Sequence, residues 1–242
     1  MSRIEREMYG LMRGMRKKNR IRLLNQNDFV CLRREGVAVY FDEDRYFTAR
    51  RVLETAIEVR RGLDKLLTVS EIPIVLFADP ERLRASGRIV LQEEILGYYR
   101  DGIVHLLSPA SYPQESAFDY VATLAHEMTH LALDYAFGGA CPLWLSEGLS
   151  LFVEGVMTGV EPDLSVDAAP ATFGRLEAAF PLMEREENYA AAYLLTTGIL
   201  SDYGPEGMAR FLKLLRDGSG PRDAFREALG GDLNRYYKEK IF

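Results

Sequence analysis

Short apolar runs, and apolar positions recurring at intervals of three and four, divide this chain into strands and helices. Phe29–Leu32 and Val37–Phe41 read as short strands, with Glu35-Gly36 as the hairpin turn between them. Residues 46–67 place Val52, Leu53, Ala56, Val59 and Leu63 on one face, the pattern of an amphipathic helix. Ile72–Phe77 is apolar throughout and reads as a buried strand, with Pro73 near its start. Asp79-Pro80 ends it, and residues 81–95 read as helix or loop. Residues 96–99 and Ile103–Leu107 form a second strand pair, joined by the turn signal Arg100-Asp101-Gly102.

A long helix follows, in which Ala117, Val121, Leu124, Met128, Leu131 and Tyr135 are spaced by three or four. Ser116 or Gln114 stands where such a helix opens, after Pro113, and Gly138-Gly139 stands where it closes. A second, more apolar helix starts near Pro142 or Leu143. Beyond residue 155, Gly, Pro and Asp mark a loop to about residue 170. Helical patterns then cover about 171–186, 188–203, 205–217 and 221–228, with Pro205 and Pro221 at first-turn positions. Strands early and helices late predict an α+β fold of two lobes. Its divisions are an arm over 1–27, an α+β lobe with a small mixed sheet over 28–140, and a helical lobe over 141–242.

The long helix contains His126-Glu127-Met128-Thr129-His130, with two of the three histidines in the chain. Residues four apart on a helix lie nearly above one another, so His126 and His130 point the same way. Two imidazole nitrogens so placed suit one Zn²⁺. Glu127 is rotated by about 100° from His126, beside a metal rather than on it. A carboxylate there can take a proton from a metal-activated water whose pKa has fallen to about 7.

Glu147 is the candidate third ligand. It sits in Leu143-Trp144-Leu145-Ser146-Glu147-Gly148-Leu149, inside the apolar second helix. A buried carboxylate without a partner is costly, and a dication removes that cost. The plainer reading is a first-turn glutamate favoured by the helix dipole. Two histidines and a carboxylate also suit Fe, Mn or Co, so zinc follows from motif rather than from ligand type alone.

The five-residue motif, the sixteen residues after it, and Glu147 within Pro-Leu-Trp-Leu-Ser-Glu-Gly-Leu resemble the gluzincin zinc peptidases. Among these the chain looks most like the peptidase-MA-like domains, in which a P-x-W-x-x-E-G segment follows the H-E-x-x-H helix. The likeness is specific in these two segments and extends loosely over residues 28–235. It implies a zincin-like fold with zinc in the cleft between the lobes. His126, His130 and Glu147 would be the ligands, and Glu127 the catalytic base. It also implies a tyrosine-bearing helix, here Asn188-Tyr189-Ala190-Ala191-Ala192-Tyr193, followed by Asp202-Tyr203-Gly204. Tyr189, or else Tyr193, would stabilise the oxyanion. Finally it implies that Ile103–Leu107 is an open sheet edge on which an extended peptide adds as a strand. His105 lies on that strand, where a structural role competes with a catalytic one.

One position departs from the thermolysin-type pattern. Leu151 stands where that pattern has an aspartate bracing a histidine. Asp119, Asp134 and Glu154 are the candidates to replace it.

Composition suits an enzyme with one sizeable core: 242 residues, 48% hydrophobic and 27% charged. A net charge of −6 argues against nucleic acid as a partner. Residues 1–24 nevertheless carry eight arginines and lysines against Glu5 and Glu7, which reads as a solvated arm. The sequence shows no apolar leader and no run long enough to span a membrane, which predicts a cytoplasmic protein if Met1 is the native start. Cys31 and Cys141 are too few for a disulfide framework, and Cys141 reads as a small core residue.

The function these residues predict is zinc-dependent peptide hydrolysis. No amine-anchoring motif of the aminopeptidase type is present, which points to an endopeptidase. A non-catalytic or latent zinc- and peptide-binding module is the alternative from another class, and the intact Glu127 argues against it. A zinc hydrolase acting on another amide or ester shares the same ligand set.

Overall fold

The short apolar runs fold into a single sheet. A computed structural model describes residues 29–87, 95–112, 119–162, 165, 167, 169–180 and 186–242, with the side chain of Asp119 outside the description. The basic arm, the opening of the long helix at Gln114 or Ser116, and the end of the 81–95 segment therefore lie outside the described residues.

β1 (Val30–Arg34) and β2 (Val37–Phe41) form an antiparallel hairpin, and β4 (Gly97–Arg100) and β5 (Ile103–Leu107) form another. Both turns hold their two residues at positive φ: 47° and 73° at Glu35-Gly36, 52° and 80° at Asp101-Gly102. That backbone matches the twist of the flanking strands. β3 (Ile72–Phe77) lies between the hairpins, parallel to β2 and to β5, and gives the order β1-β2-β3-β5-β4. Strands β2, β3 and β5 are buried along their whole length, which explains why they read as unbroken apolar runs.

This order corrects one expectation. Ile103–Leu107 is not an open edge, because β5 is hydrogen-bonded by β3 on one side and β4 on the other. The two strands of a hairpin look alike in sequence. Which one is outermost depends on where β3 docks, a pairing between distant segments. Among the described residues the open edges are β1 and β4.

α1 (Tyr46–Leu63) packs on the sheet through Val52, Leu53, Ala56, Val59 and Leu63. It is four residues shorter than the pattern predicts. The Arg60 guanidinium donates to the Glu35 carbonyl at 2.7 Å and the Val69 carbonyl at 2.8 Å, joining the first hairpin to the chain after the helix. α2 (Pro80–Gly87) covers the other face, with the Asp79 carboxylate accepting from Arg82 N. α3 (Asp119–Phe137) lies beside α1 and against β4 and β5. Its residues Leu124, Met128 and Leu131 are fully buried, each worth roughly 1.5–3 kcal/mol in apolar area removed from water. Gly138 and Gly139 follow it, both at positive φ.

The helical half comprises α4 (Leu143–Thr158), α5 (Phe173–Ala179), α6 (Glu186–Arg216), α7 (Pro221–Leu229) and α8 (Leu233–Ile241). α6 is two helical runs meeting at Gly204, where φ is 68° and ψ is 177°, with Pro205 opening the second run. α8 has no counterpart in the sequence reading. Its signals are the Asp232 cap, which accepts from Arg235 N, and Leu233, Tyr236, Tyr237 and Ile241 at helical spacing. The buried apolar residues form one connected cluster from β2 to α8. The molecule is thus α+β, with a small mixed sheet and mostly helix. No helix among the described residues is long and apolar enough to cross a membrane.

Candidate metal centre

α3 and α4 pack against each other and present three candidate ligands, two imidazoles and a carboxylate, to one point. His126 and His130 come from α3, Glu147 from the second turn of α4. Their donor atoms all lie within 4.8 Å of one another. Both imidazoles turn Nε2 towards the same carboxylate oxygen: Glu147 Oε2 is 3.5 Å from His126 and 3.6 Å from His130. The three predicted ligands are therefore brought together, and each is largely buried.

The opposite ring nitrogens are held from behind. His126 Nδ1 lies 3.1 Å from Glu154 Oε2. His130 Nδ1 lies 2.8 Å from Ser146 Oγ and 3.4 Å from Ser150 Oγ. An Nδ1–H that donates to these groups leaves the Nε2 lone pair facing Glu147, the tautomer a metal ligand needs. Of the three bracing candidates in the sequence, Glu154 takes the role for His126. It follows Glu147 by seven residues, two helical turns, so both carboxylates share one face of α4. Asp134 is engaged elsewhere: it accepts a hydrogen bond from the Tyr99 hydroxyl.

Sequence reasoning missed Ser146 and Ser150. Both are buried, four residues apart, in a mostly apolar helix. Buried hydroxyls at helical spacing were the available signal, since such groups need partners.

The electrostatics of the group favour positive charge. Burial pushes the His126 imidazolium down, but the surrounding Glu147, Glu154 and Glu127 carboxylates outweigh it and carry the pKa to about 10. Burial pushes the Glu147 carboxyl up, but the two imidazoles outweigh this and hold it at about 2. Two converging Nε2 atoms, an ionised carboxylate and a surplus of negative charge fit a divalent cation. Glu127 lies beside His126, close enough to act on its charge, and is part-buried.

The predicted tyrosines lie on α6. Tyr189 packs edge-on against Phe180 at 5.4 Å between ring centroids, and Tyr193 is one turn further along. α6 reaches α4 immediately beside the third ligand: a side chain on Gly148 would collide with the Ala192 carbonyl and the Thr196 hydroxyl. Gly148 adjoins Glu147, and Ala192 adjoins Tyr193.

His105 is on the other side of the sheet. It stacks on Tyr98 at 4.4 Å and on Phe77 at 5.8 Å, with Ser86 Oγ 3.4 Å from Nδ1. Ser86 belongs to α2, whereas α3 lies on the opposite face. Burial above all holds its pKa down at about 3, which keeps the ring neutral near pH 7 between its two aromatic neighbours. Cys141 is a half-buried thiol whose pKa burial pushes up to about 12. No protein-family model and no curated protein sequence matches this chain.

Proposed function

We propose that this chain is a zinc-dependent peptide hydrolase of gluzincin type, with a zincin-like two-lobed arrangement that places zinc between the sheet-bearing half and the helical half. The observation that carries the reading is the convergence of His126, His130 and Glu147 within 4.8 Å, with both outward imidazole nitrogens already held by Glu154 and Ser146. His126, His130 and Glu147 would hold the ion. When bound, it supplies Lewis acidity, polarising a carbonyl and making water acidic enough for a carboxylate to deprotonate near neutral pH.

Glu127 takes the proton from the attacking water and delivers it to the departing amine nitrogen. Glu154, Ser146 and Ser150 keep the imidazoles in the tautomer and orientation that binding requires. A phenol from Tyr189 or Tyr193 donates to the developing oxyanion. The approach of α6 to α4 at Gly148 supports that role. The peptide adds as an extended strand to the outer edge of β4, the open edge nearest α3, so backbone hydrogen bonds rather than side chains give most of the affinity.

The test is zinc content together with cleavage of a mixed peptide library, in wild type and Glu127→Gln. One zinc per chain in both, with cleavage in wild type alone, is the expected result. Full cleavage by Glu127→Gln would end the base assignment.

A further inference from the structure

Strand β4 is fastened to α3 at two places that bracket the His126–His130 segment. Before it, Gly97 lies flush against Thr123: a Cβ on Gly97 would come within 2.6 Å of Thr123 Cγ2 and 2.9 Å of the His105 carbonyl oxygen. Thr123 precedes His126 by three residues, so it lies one turn away on the same side of the helix. After the segment, the Tyr99 hydroxyl donates to the Asp134 carboxylate. Asp134 follows His130 by four residues, again one turn away.

Alternate residues of a strand share a face, so Gly97 and Tyr99 both turn towards α3. Tyr98 turns the other way, stacked on His105 and hydrogen-bonded to Ser86 at 2.5 Å. The strand is only four residues long and, among the described residues, is paired on one side alone. Its own ladder bonds are few, so side-chain attachments help to hold it: Tyr99 ties it to α3, while Tyr98 and Arg100 tie it to α2. A hydrogen bond to a carboxylate is among the stronger kinds.

We infer that Tyr99, with Gly97, is a positioning residue for the peptide substrate. Its bond to Asp134 fixes β4 over the helix that carries His126, Glu127 and His130. A backbone paired with the outer edge of β4 is thereby delivered to Glu127 at a set height and tilt. The inference rests on the peptide-hydrolase reading above.

The experiment uses zinc-loaded protein and a fluorogenic mixed-sequence peptide pool. Apparent KM and kcat are measured in wild type, Tyr99→Phe, Asp134→Asn and Tyr98→Phe, and the dissociation constant of the pool is measured with each change in a Glu127→Gln background. Tyr99→Phe is expected to raise apparent KM and the dissociation constant about five- to tenfold, the scale of one lost hydrogen bond, with zinc content unchanged. Asp134→Asn should match it, and the two together should add nothing further. Tyr98→Phe loses a bond on the opposite face and should lower only Tm.

Unchanged KM and dissociation constant in Tyr99→Phe would overturn the inference, as would an equal rise in Tyr98→Phe. A wild type that binds the pool, responds to Tyr99→Phe and never cleaves would sink the hydrolase reading while leaving the strand's role intact. A pool that is neither bound nor cleaved would overturn both.

Discussion

The histidines occupy two regions that treat the same side chain in opposite ways. His105 lies between two aromatic rings on the α2 side of the sheet, and burial drives its pKa down to about 3. His126 lies on the α3 side and is also buried, yet its pKa rises to about 10, because three carboxylates converge on it. Burial alone makes a histidine neutral and inert. Burial among converging anions makes a site that demands a cation. The contrast separates packing from chemistry more sharply than residue type does, and each of the following changes tests one side of it.

The largest effect is expected at the ligands and the base. His130→Ala should lose both zinc and activity. Glu127→Gln should retain zinc and lose about 10²- to 10⁴-fold in kcat, the usual contribution of general-base catalysis. Elemental analysis beside kinetics separates the two outcomes, and equal zinc in both variants with equal activity would erase the distinction between ligand and base.

Next come the groups behind the imidazoles. Glu154→Gln and Ser146→Ala should each weaken zinc binding, within the roughly 10- to 100-fold range typical of such partners. Glu154→Gln should be the more severe, since it removes the negative charge beside His126 and replaces one carboxylate oxygen with a donor. Competition against a chelator of known affinity gives the order, and the reverse order would contradict the role assigned to Glu154.

The effect of pH follows from the two shifts. In metal-free protein the His126 pKa is raised from 6.5 to about 10, so its contribution to stability is full below about 6.5 and is lost as pH rises through 10. The Glu147 pKa is lowered from 4.5 to about 2, so its contribution is full above 4.5 and is lost as pH falls through 2. Metal-free Tm should therefore fall between pH 7 and 10. Zinc binding must displace the His126 proton, so affinity should rise about tenfold per pH unit over the same range. Titration calorimetry in buffers of different ionisation enthalpy reads the released proton directly.

The smallest effect belongs to His105. His105→Gln should leave zinc content and kcat unchanged and lower Tm, because it disrupts the stack with Tyr98 and Phe77 and the contact with Ser86, all away from the metal ligands. In proton NMR the wild-type His105 ring should show no titration between pH 5 and 8. Loss of activity in folded His105→Gln would place catalytic function on the wrong side of the sheet.

Much of this was legible in the sequence where the signal is local. Strands β2, β3 and β5, both hairpin turns and the start of α4 follow from apolar runs, left-handed turn residues and Pro142. The motif spacing foretold that His126, His130 and Glu147 would converge, because helical repeat fixes the first two and a short connection brings the third. What was illegible depends on pairing between distant segments. The docking of β3 against β5 decided that β4, not Ile103–Leu107, is the outer strand of its hairpin among the described residues. The rotation of α4 against α3 decided that Glu154, Ser146 and Ser150 stand behind the imidazoles while Asp134 faces Tyr99. Helix α8 was missed although its cap and apolar spacing are local, since its stretch is short and mostly polar.

The central claim is that His126, His130 and Glu147 hold one zinc ion, and equilibrium dialysis of metal-free protein against Zn²⁺ tests it most directly. One zinc per chain in wild type and in Glu127→Gln, with none retained by His130→Ala, is the expected result. A wild-type chain that takes up no zinc at pH 8, or a His130→Ala chain that binds it as tightly, would contradict the account.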